Sequence, residues 1–144
     1  MIHGVGIDLV EIARIARALK LDTSVQSRFA QRVLSAEEFI EFERRLQSAA
    51  SGNVAGAVGQ RSAIAYVAKR FAAKEAFFKA LGLPPSEANT WQQLTIASCK
   101  NGRPVCVFGP LLATLLRDNG ISAAHVSLSD EREHAIATIT LEKL

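Results

Sequence analysis

The stretch AIAYVAKRFAAKEAFFKAL, residues 63–81, decides the fold. Apolar side chains recur in it at three- and four-residue spacing, as at Ile64, Val67 and Phe71, which is typical of an amphipathic helix. Gly82 follows the stretch directly and two prolines come just after it, and these are helix stop signals. The sequence therefore predicts one long helix against which the rest of the chain packs.

The apolar stripe of this helix continues onto a charged residue, Glu75, with Lys79 one turn farther on. Two interpretations stay open. Glu75 and Lys79 can form an exposed pair that stabilises the helix by about 0.3 kcal/mol. Alternatively, Glu75 is partly buried and requires a cation, either a lysine or a metal, because an unpaired buried carboxylate is costly.

A second carboxylate stands on a strand predicted near the N-terminus. In GVGIDLV, residues 4–10, apolar side chains alternate with glycines and Asp8, so one face is apolar and the other almost bare. The bare face allows backbone or a ligand to approach closely. Asp8 can cap the helix that follows, or it can join Glu75 in an Mg²⁺ site, since Mg²⁺ takes one or two carboxylates together with water and phosphate.

The other segments predict helices and hairpins in irregular order. An amphipathic helix with a basic outer side is expected over 12–19, and a capping box of Ser35 and Glu38 starts a helix at about residue 36. Further predicted elements are the strands LTIASC and PVCVF around Asn101 and Gly102, a helix between Pro110 and Gly120, and the strands HVSLS and AIATITL joined by DEREH. We therefore predict an α+β fold, with an antiparallel or mixed sheet packed against the long helix and shorter helices.

Composition predicts a single domain. The chain has 144 residues, 49% of them hydrophobic and 22% charged, which suits one globular domain over 1–144 and argues against a disordered chain. Within it, 48–62 has no apolar period, so a flexible surface loop is expected there. No apolar run approaches the length of a membrane span, and the first residues lack a signal-peptide pattern, so we expect a cytoplasmic protein.

The net charge, one histidine and the two cysteines exclude fewer classes of function than the helix and strand patterns do. The net charge of +3 suits an acidic partner or a phosphorylated substrate, and a nucleic-acid role is not expected because aromatic residues are not interleaved with arginines. His125 shares a strand face with Ser127 and Ser129, and it is either a structural residue or part of a phosphate pocket. Cys99 and Cys106 lack metal-ligand spacing and are expected to be reduced thiols.

Five motifs, taken together, point to a family. GIDLVEI at 6–12, RFAQRVLSAEE at 28–38, KRFAAKEAFFKALG at 69–82, KNGRP at 100–104 and HVSLSDE at 125–131 resemble, in order, those of the holo-[acyl-carrier-protein] synthases, the small bacterial 4′-phosphopantetheinyl transferases. The resemblance implies an α+β homotrimer with sites between subunits. It also implies transfer of the phosphopantetheine arm of coenzyme A to a serine of apo acyl carrier protein, with release of 3′,5′-ADP, in support of fatty acid biosynthesis.

The same resemblance implies roles for individual residues. Asp8 and Glu75 would be Mg²⁺ ligands, and Glu75 and Lys79 would be catalytic, with Lys79 facing the coenzyme A pyrophosphate. The residues expected at the cofactor are Arg70, Phe71, Lys79, Gly82, Pro104 and His125, and those expected at the acidic carrier are Arg14, Arg28 and Arg32. We expect the proton of the acceptor serine to be relayed by a Mg²⁺-bound water or hydroxide, with Glu75 or Glu38 nearby.

Three departures from the family pattern stand out. The 48–62 stretch is longer than usual, and a basic position before the long helix is matched by either Arg61 or Ser62. Phe77 and Phe78 are bulkier than the small residues common there, so they are expected to tighten the cleft or to pack at a subunit boundary.

Two functions of other classes remain open beside the transferase. The first is a non-catalytic module whose basic helix docks acidic proteins, with Glu75 and Lys79 a surface pair. The second is a different phosphotransfer enzyme that uses the same carboxylates. Incubation with coenzyme A, Mg²⁺ and an apo carrier separates the three, because only the transferase modifies the carrier serine.

Overall fold

The computed structural model describes residues 1–21, 27–49, 54–84 and 91–144. The elements in chain order are β1 (Ile2–Glu11), α1 (Ile12–Leu19), α2 (Arg28–Val33), α3 (Ala36–Ala49), α4 (Val54–Leu81), a 3-10 turn (Trp91–Gln93), β2 (Leu94–Ser98), β3 (Pro104–Phe108), α5 (Pro110–Asp118), β4 (Ile121–Asp130) and β5 (His134–Lys143). This order of strands and helices confirms the predicted α+β class. The short helix α2 was not predicted, and its first turn is capped by Ser27, whose hydroxyl accepts from Ala30 N at 3.3 Å.

In the described part of the chain the strands form two antiparallel sheets. The larger has the order β1-β5-β4, and the smaller is the predicted β2-β3 hairpin around Gly102, which has a φ of 81°. Side chains directly opposite each other in a ladder share a face. The register therefore gives the larger sheet an inner face, which includes Gly6 and Asp8, and an outer face. The outer-face residues are Val5, Ile7 and Leu9 of β1, Thr140, Thr138 and Ile136 of β5, and His125, Ser127 and Ser129 of β4.

The bare face of β1 lies against α4. A Cβ atom added at Gly4 would overlap the carbonyl oxygen of Ala80, and one added at Gly6 would overlap that of Ala76. Glycines on the strand and alanines on the helix thus let the two backbones touch. The predicted close approach to this face is confirmed, and its partner here is the backbone of α4.

Helix α4 is the centre of the core. It spans 28 residues, and its buried residues occur on more than one side, including Val67, Ala73, Phe77 and Leu81. A helix surrounded by other elements has no fully polar face. Phe77 is fully buried, with its ring centroid 5.5 Å from that of Phe108, so it packs in the core of the protomer.

The prediction of a flexible loop over 48–62 is wrong for the residues that the structure describes. Helix α3 runs to Ala49 and α4 begins at Val54, while residues 50–53 lie outside the described part. Alanine favours helix even where no apolar period marks one face. Contacts with α3 also hold the first half of α4, since Arg45 Nη1 donates to Ser62 Oγ at 2.7 Å and its guanidinium lies 4.7 Å from the Tyr66 ring centroid.

The predicted helix signals at other positions are confirmed. Ser35 and Glu38 form the capping box, with Glu38 N donating to Ser35 Oγ at 3.3 Å and Ser35 N donating to Glu38 Oε2 at 2.9 Å. Gly82, with a φ of 75°, ends α4. Among the described helices, none is long and apolar enough to cross a bilayer.

Candidate active site

Asp8 and Lys79 form an ion pair where β1 crosses α4, and Glu75 lies within electrostatic range of both. Lys79 Nζ donates to Asp8 Oδ1 at 2.7 Å and to the carbonyl oxygen of Ile7 at 3.1 Å. The Asp8 side chain is 15% exposed and that of Lys79 is 52% exposed, so the carboxylate lies beneath the lysine and stays partly open to solvent. Asp8, Glu75 and Lys79 are together called the acidic cleft. Asp8 does not cap α1, whose N-cap is Glu11. Lys79 pairs across elements with Asp8, which disfavours the simple surface pair with Glu75.

Glu75 lies in the same electrostatic environment. Its side chain is half-buried, and burial is the main reason that its pKa is raised. The negative charge of Asp8 also raises the pKa of Glu75, whereas Lys79 and Arg14 lower it. The negative charges of Asp8 and Glu75 therefore repel each other, and a cation bound between them would relieve this repulsion.

This pair of carboxylates fits a magnesium ion that is shared with a phosphate ligand. The described residues contain no group of three or more His, Cys, Asp or Glu side chains that could form a complete protein cage. Mg²⁺ usually keeps several waters and takes one or two carboxylates plus substrate phosphates. Asp8 and Glu75 could therefore hold Mg²⁺ with a diphosphate as the remaining ligand.

An aromatic wall, formed by Phe29, Phe71, Phe78 and Trp91, stands one helical turn before Glu75. Phe71 stacks on Trp91 with centroids 5.4 Å apart and lies 5.7 Å from Phe29, while Phe78 lies 6.1 Å from Trp91. Phe71 is half-buried and can offer part of its ring to a ligand. Sequence reasoning did not identify Trp91, and the one signal for it was that it is the only tryptophan in the chain.

The other expected cofactor residues are spread more widely. Arg70 is only 8% exposed; its guanidinium lies 3.8 Å from the Tyr66 ring centroid, and Nη2 donates to Ile96 O at 3.3 Å. Burial is the main reason that the pKa of Arg70 is lowered. Gly82 follows the last turn of α4, beside Lys79, and Pro104 begins β3. The nucleotide roles of these three residues stay predictions.

His125 stands apart from the acidic cleft. It is exposed on the outer face, with Nε2 3.5 Å from a carboxylate oxygen of Glu142. Asp8 is on the inner face of the same sheet, because it pairs with Ala137, whereas His125 pairs with Thr140. Within the described residues, neither His125 nor Pro104 forms a hydrogen bond or an ion pair with Asp8, Glu75 or Lys79.

The three arginines expected at the carrier are exposed. Arg14 is on α1, and its charge reaches Glu75. Arg28 and Arg32 are four residues apart on α2, which places them on one face of that helix. The structure thus puts one of these arginines within electrostatic range of the acidic cleft.

A buried ion pair, which the sequence did not predict, lies behind this site. Lys74 and Glu38 are 2.6 Å apart, with side-chain exposures of 0% and 1%. Lys74 follows Val67 by seven residues and Phe71 by three, so its spacing on the apolar stripe was the available signal. Both oxygens of Glu38 accept hydrogen bonds inside the protein, so Glu38 is disfavoured as the group that receives a substrate proton.

Comparison with known proteins identifies the family. The family model of the 4′-phosphopantetheinyl transferase superfamily matches residues 4–139. The chain is 38% identical over 143 residues to the holo-[acyl-carrier-protein] synthase of Herminiimonas arsenicoxydans, with 99% of each chain covered. It is 39% identical over 142 residues to that of Vesicomyosocius okutanii, covering 99% of this chain and 98% of the relative.

Solved structures agree with this identification. The fold matches the crystal structure of holo-[acyl-carrier-protein] synthase from Neisseria meningitidis with a TM-score of 0.79 and 36% identity, covering 99% of this chain and 100% of the other. It also matches the Bacillus anthracis synthase in complex with CoA (3′,5′-ADP), with a TM-score of 0.72 and 26% identity, covering 100% and 99%. The chain therefore belongs to the 4′-phosphopantetheinyl transferase superfamily and is an enzyme of that class.

Proposed function

We propose that this enzyme transfers the 4′-phosphopantetheine arm of coenzyme A to a serine of apo acyl carrier protein and releases 3′,5′-ADP. The observation that carries the proposal is the ion pair of Asp8 with Lys79, with Glu75 half-buried within electrostatic range of both. The relatives named as holo-[acyl-carrier-protein] synthases support the same acceptor, and the Bacillus anthracis complex supports the same donor. The product would serve fatty acid biosynthesis, for which carrier proteins need the arm.

Each residue of the cleft has a definite task in this reaction. Asp8 and Glu75 would hold Mg²⁺, and Lys79 adds a positive charge beside them for the donor diphosphate. Mg²⁺ bound there supplies the charge neutralisation that attack on a diphosphate needs. Phe71 and the aromatic wall shape the side of the cleft that meets the rest of the donor.

The reaction replaces a phosphoanhydride bond of the donor with a phosphate ester on the carrier serine. A bond forms between the serine oxygen and the β-phosphorus of coenzyme A, and the bond from that phosphorus to the bridging oxygen breaks. The bridging oxygen leaves with 3′,5′-ADP, and the serine proton goes to a water molecule. Of the two carboxylates considered to lie near that water, Glu38 is enclosed and Glu75 is half-buried at the site, so the proton would leave beside Glu75.

We infer that the working form is a homotrimer with sites between subunits. Asp8 and His125 are on opposite faces of one sheet, so both can serve one site only if a second copy supplies one of them. The outer face also exposes Val5 by 62%, Ile7 by 55% and Leu9 by 62%. An exposed apolar strand face of this kind is typical of a surface that is covered by a partner.

The carrier is expected to dock on α1 and α2. Arg14, Arg28 and Arg32 are exposed, and the net charge of the protein is +3. An acidic recognition helix on the carrier would be drawn to this surface by its charge. We place the reaction in the cytoplasm, which is consistent with the free thiols of Cys99 and Cys106, and we treat 1–144 as one domain.

A mass-spectrometric assay tests the proposal. The protein is incubated with coenzyme A, MgCl₂ and an apo acyl carrier protein, and the carrier is expected to gain the mass of one phosphopantetheine on its serine. Glu75→Gln and Asp8→Asn should lower turnover by about 100-fold or more, since each removes a metal-binding charge. Glu37→Gln changes an exposed carboxylate on α3 and is the matched control.

Three outcomes would overturn the proposal. Full turnover and unchanged Mg²⁺ dependence in Glu75→Gln would remove this residue from the site. Activity on another phosphorylated donor, with coenzyme A inert, would indicate a different phosphotransfer enzyme. Binding of the carrier without any mass gain would indicate a docking module.

A further inference from the structure

Lys74 is a fully buried ammonium with all three of its hydrogen-bonding positions filled. Its Nζ donates to Glu38 Oε2 at 2.6 Å, to the carbonyl oxygen of Val33 at 2.6 Å and to that of Trp91 at 2.9 Å. The three acceptors belong to α3, to the end of α2 and to the 3-10 turn. One side chain of α4 therefore ties together three segments that are distant in the sequence.

Glu38 extends the same connection to a fifth segment. Its Oε1 accepts from Ile96 N of β2 at 2.7 Å, and its Oε2 accepts from Ser35 N at 2.9 Å as well as from Lys74. The carboxylate thus completes the capping box of α3 and also anchors β2. The charge pair with its backbone partners is fully enclosed, because Lys74 and Glu38 are 0% and 2% exposed.

A pair like this is poorly explained by stability alone. Taking two charges out of water is costly, and a well-packed apolar replacement is often as stable as the ion pair. Burial accordingly lowers the pKa of Lys74, while the charge of Glu38 raises it. What an apolar replacement could not supply is the set of directed hydrogen bonds that fixes the position of each segment.

The tied segments are those that carry the proposed functional residues. Lys74 directly precedes Glu75, so the ammonium holds α4 at the acidic cleft. Val33 is the last residue of α2, which carries Arg28 and Arg32. Trp91 is the residue on which Phe71 stacks, with ring centroids 5.4 Å apart.

We propose that Lys74 and Glu38 are positioning residues, which hold the carrier-docking helix α2 and the aromatic wall in fixed places relative to Glu75. The inference rests on the proposed function, since it assigns Glu75 to the metal and α2 to the carrier. Neither residue touches substrate. They act through the placement of Glu75, Arg28, Arg32 and Trp91.

The test is the double variant Lys74→Met/Glu38→Gln. It removes both charges together and so leaves no unpaired buried ion, and glutamine still serves a capping box. The KM for apo carrier should rise about tenfold and kcat should fall, because outer contacts that orient a site typically contribute 10- to 100-fold. A purely structural role would lower the fraction of active protein and leave the KM for apo carrier and the KM for coenzyme A unchanged.

Fluorescence gives a second readout that does not depend on activity. Trp91 is the only tryptophan of the chain, so the emission reports on the segment that Lys74 holds. In the folded double variant, the emission maximum of Trp91 should shift to longer wavelength, and iodide should quench this emission more strongly. Unchanged emission together with unchanged KM values would overturn the proposal.

A matched control exists on the same helix. Lys69 of α4 pairs with Asp130 of β4 at 2.7 Å, with side chains 27% and 32% exposed. The variant Lys69→Met/Asp130→Asn removes a lysine–carboxylate pair at the surface that is only slightly longer, 2.7 Å against 2.6 Å. It should leave both KM values and the Trp91 emission as in the unmodified protein.

Two further comparisons keep the outcomes distinct. Should the double variant fail to fold, Glu38→Gln alone is measured in the same way, because a buried lysine can lose its proton when its partner is neutral. If Glu75→Gln keeps full turnover, the proposed site fails whatever the pair does. If Glu75→Gln is inactive while the folded pair variants retain normal KM values and emission, only the positioning proposal fails.

Discussion

Gly6 of β1 and Ala76 of α4 touch backbone to backbone, leaving no space for a Cβ atom at position 6. Asp8 is the next residue of the inner face after Gly6, and Glu75 directly precedes Ala76. The close approach of strand and helix is therefore what brings the two carboxylates of the cleft together. Glycine at this position thus serves the active site as well as the core.

Gly6→Ala should destabilise the protein by about 3 kcal/mol or more, because the new methyl group would overlap the carbonyl oxygen of Ala76 and push the strand from the helix. Chemical denaturation measures the effect. Gly120→Ala is the control: Gly120 has a φ of 69° but open space around it, so only a backbone cost of about 1 to 2 kcal/mol is expected. Equal stability of Gly6→Ala and the unmodified protein would contradict the packing.

Ile7→Lys should separate the proposed homotrimer into smaller species without unfolding the protomer. Ile7 is 55% exposed on the outer face, so a lysine there is solvated in the single chain. In an assembly that covers this face, the charge of the lysine would be buried without a partner, which is costly. Sedimentation measures the mass, and the transferase assay should lose activity in parallel. Ile40→Lys changes a residue on α3 that is 67% exposed, and it should leave mass and activity as they were.

Glu41 should contribute to stability in a pH-dependent manner. Its hydrogen bond with Arg44, aided by Arg45, lowers the pKa of Glu41 from 4.5 to about 2. A carboxyl group with a lowered pKa in the folded protein stabilises the protein above pH 4.5 and loses that contribution as the pH falls toward 2.

The expected difference between the unmodified protein and Glu41→Gln is about 1 kcal/mol or less at neutral pH, since the pair lies at the surface. Thermal unfolding from acid to neutral pH measures this difference, which should shrink as Glu41 is protonated. Glu37→Gln, which changes an exposed carboxylate in the first turn of the same helix, is the control. A constant difference at every pH would contradict the arginine pairing.

The two thiols should differ in reactivity. Cys99 is exposed, whereas burial raises the pKa of Cys106 to about 12, so almost none of it is thiolate at pH 8. An aromatic disulfide reagent should label one thiol in the folded protein and the second only after denaturation. In Cys99→Ser the rapid reaction should disappear, and rapid labelling that survives this change would place Cys106 at the surface.

Local sequence signals predicted most of the elements. The capping box of Ser35 and Glu38 and the turn at Gly102 depend on residues within a few positions of each other, and both are confirmed. The prediction of a loop over 48–62 was wrong for the described residues because α3 supports the first half of α4 through Arg45. That support comes from another element, and no period within the segment reports it.

The sequence by itself determined the fold class, the long central helix and the pair of carboxylates as candidates, because each follows from local spacing and residue type. Only the tertiary structure decided that Asp8 meets Lys79, that His125 faces away from them, and that Lys74 is buried against Glu38. These relationships depend on strand register and on contact between distant segments. Two side chains that are 71 residues apart become neighbours only when the packing of the whole chain favours it.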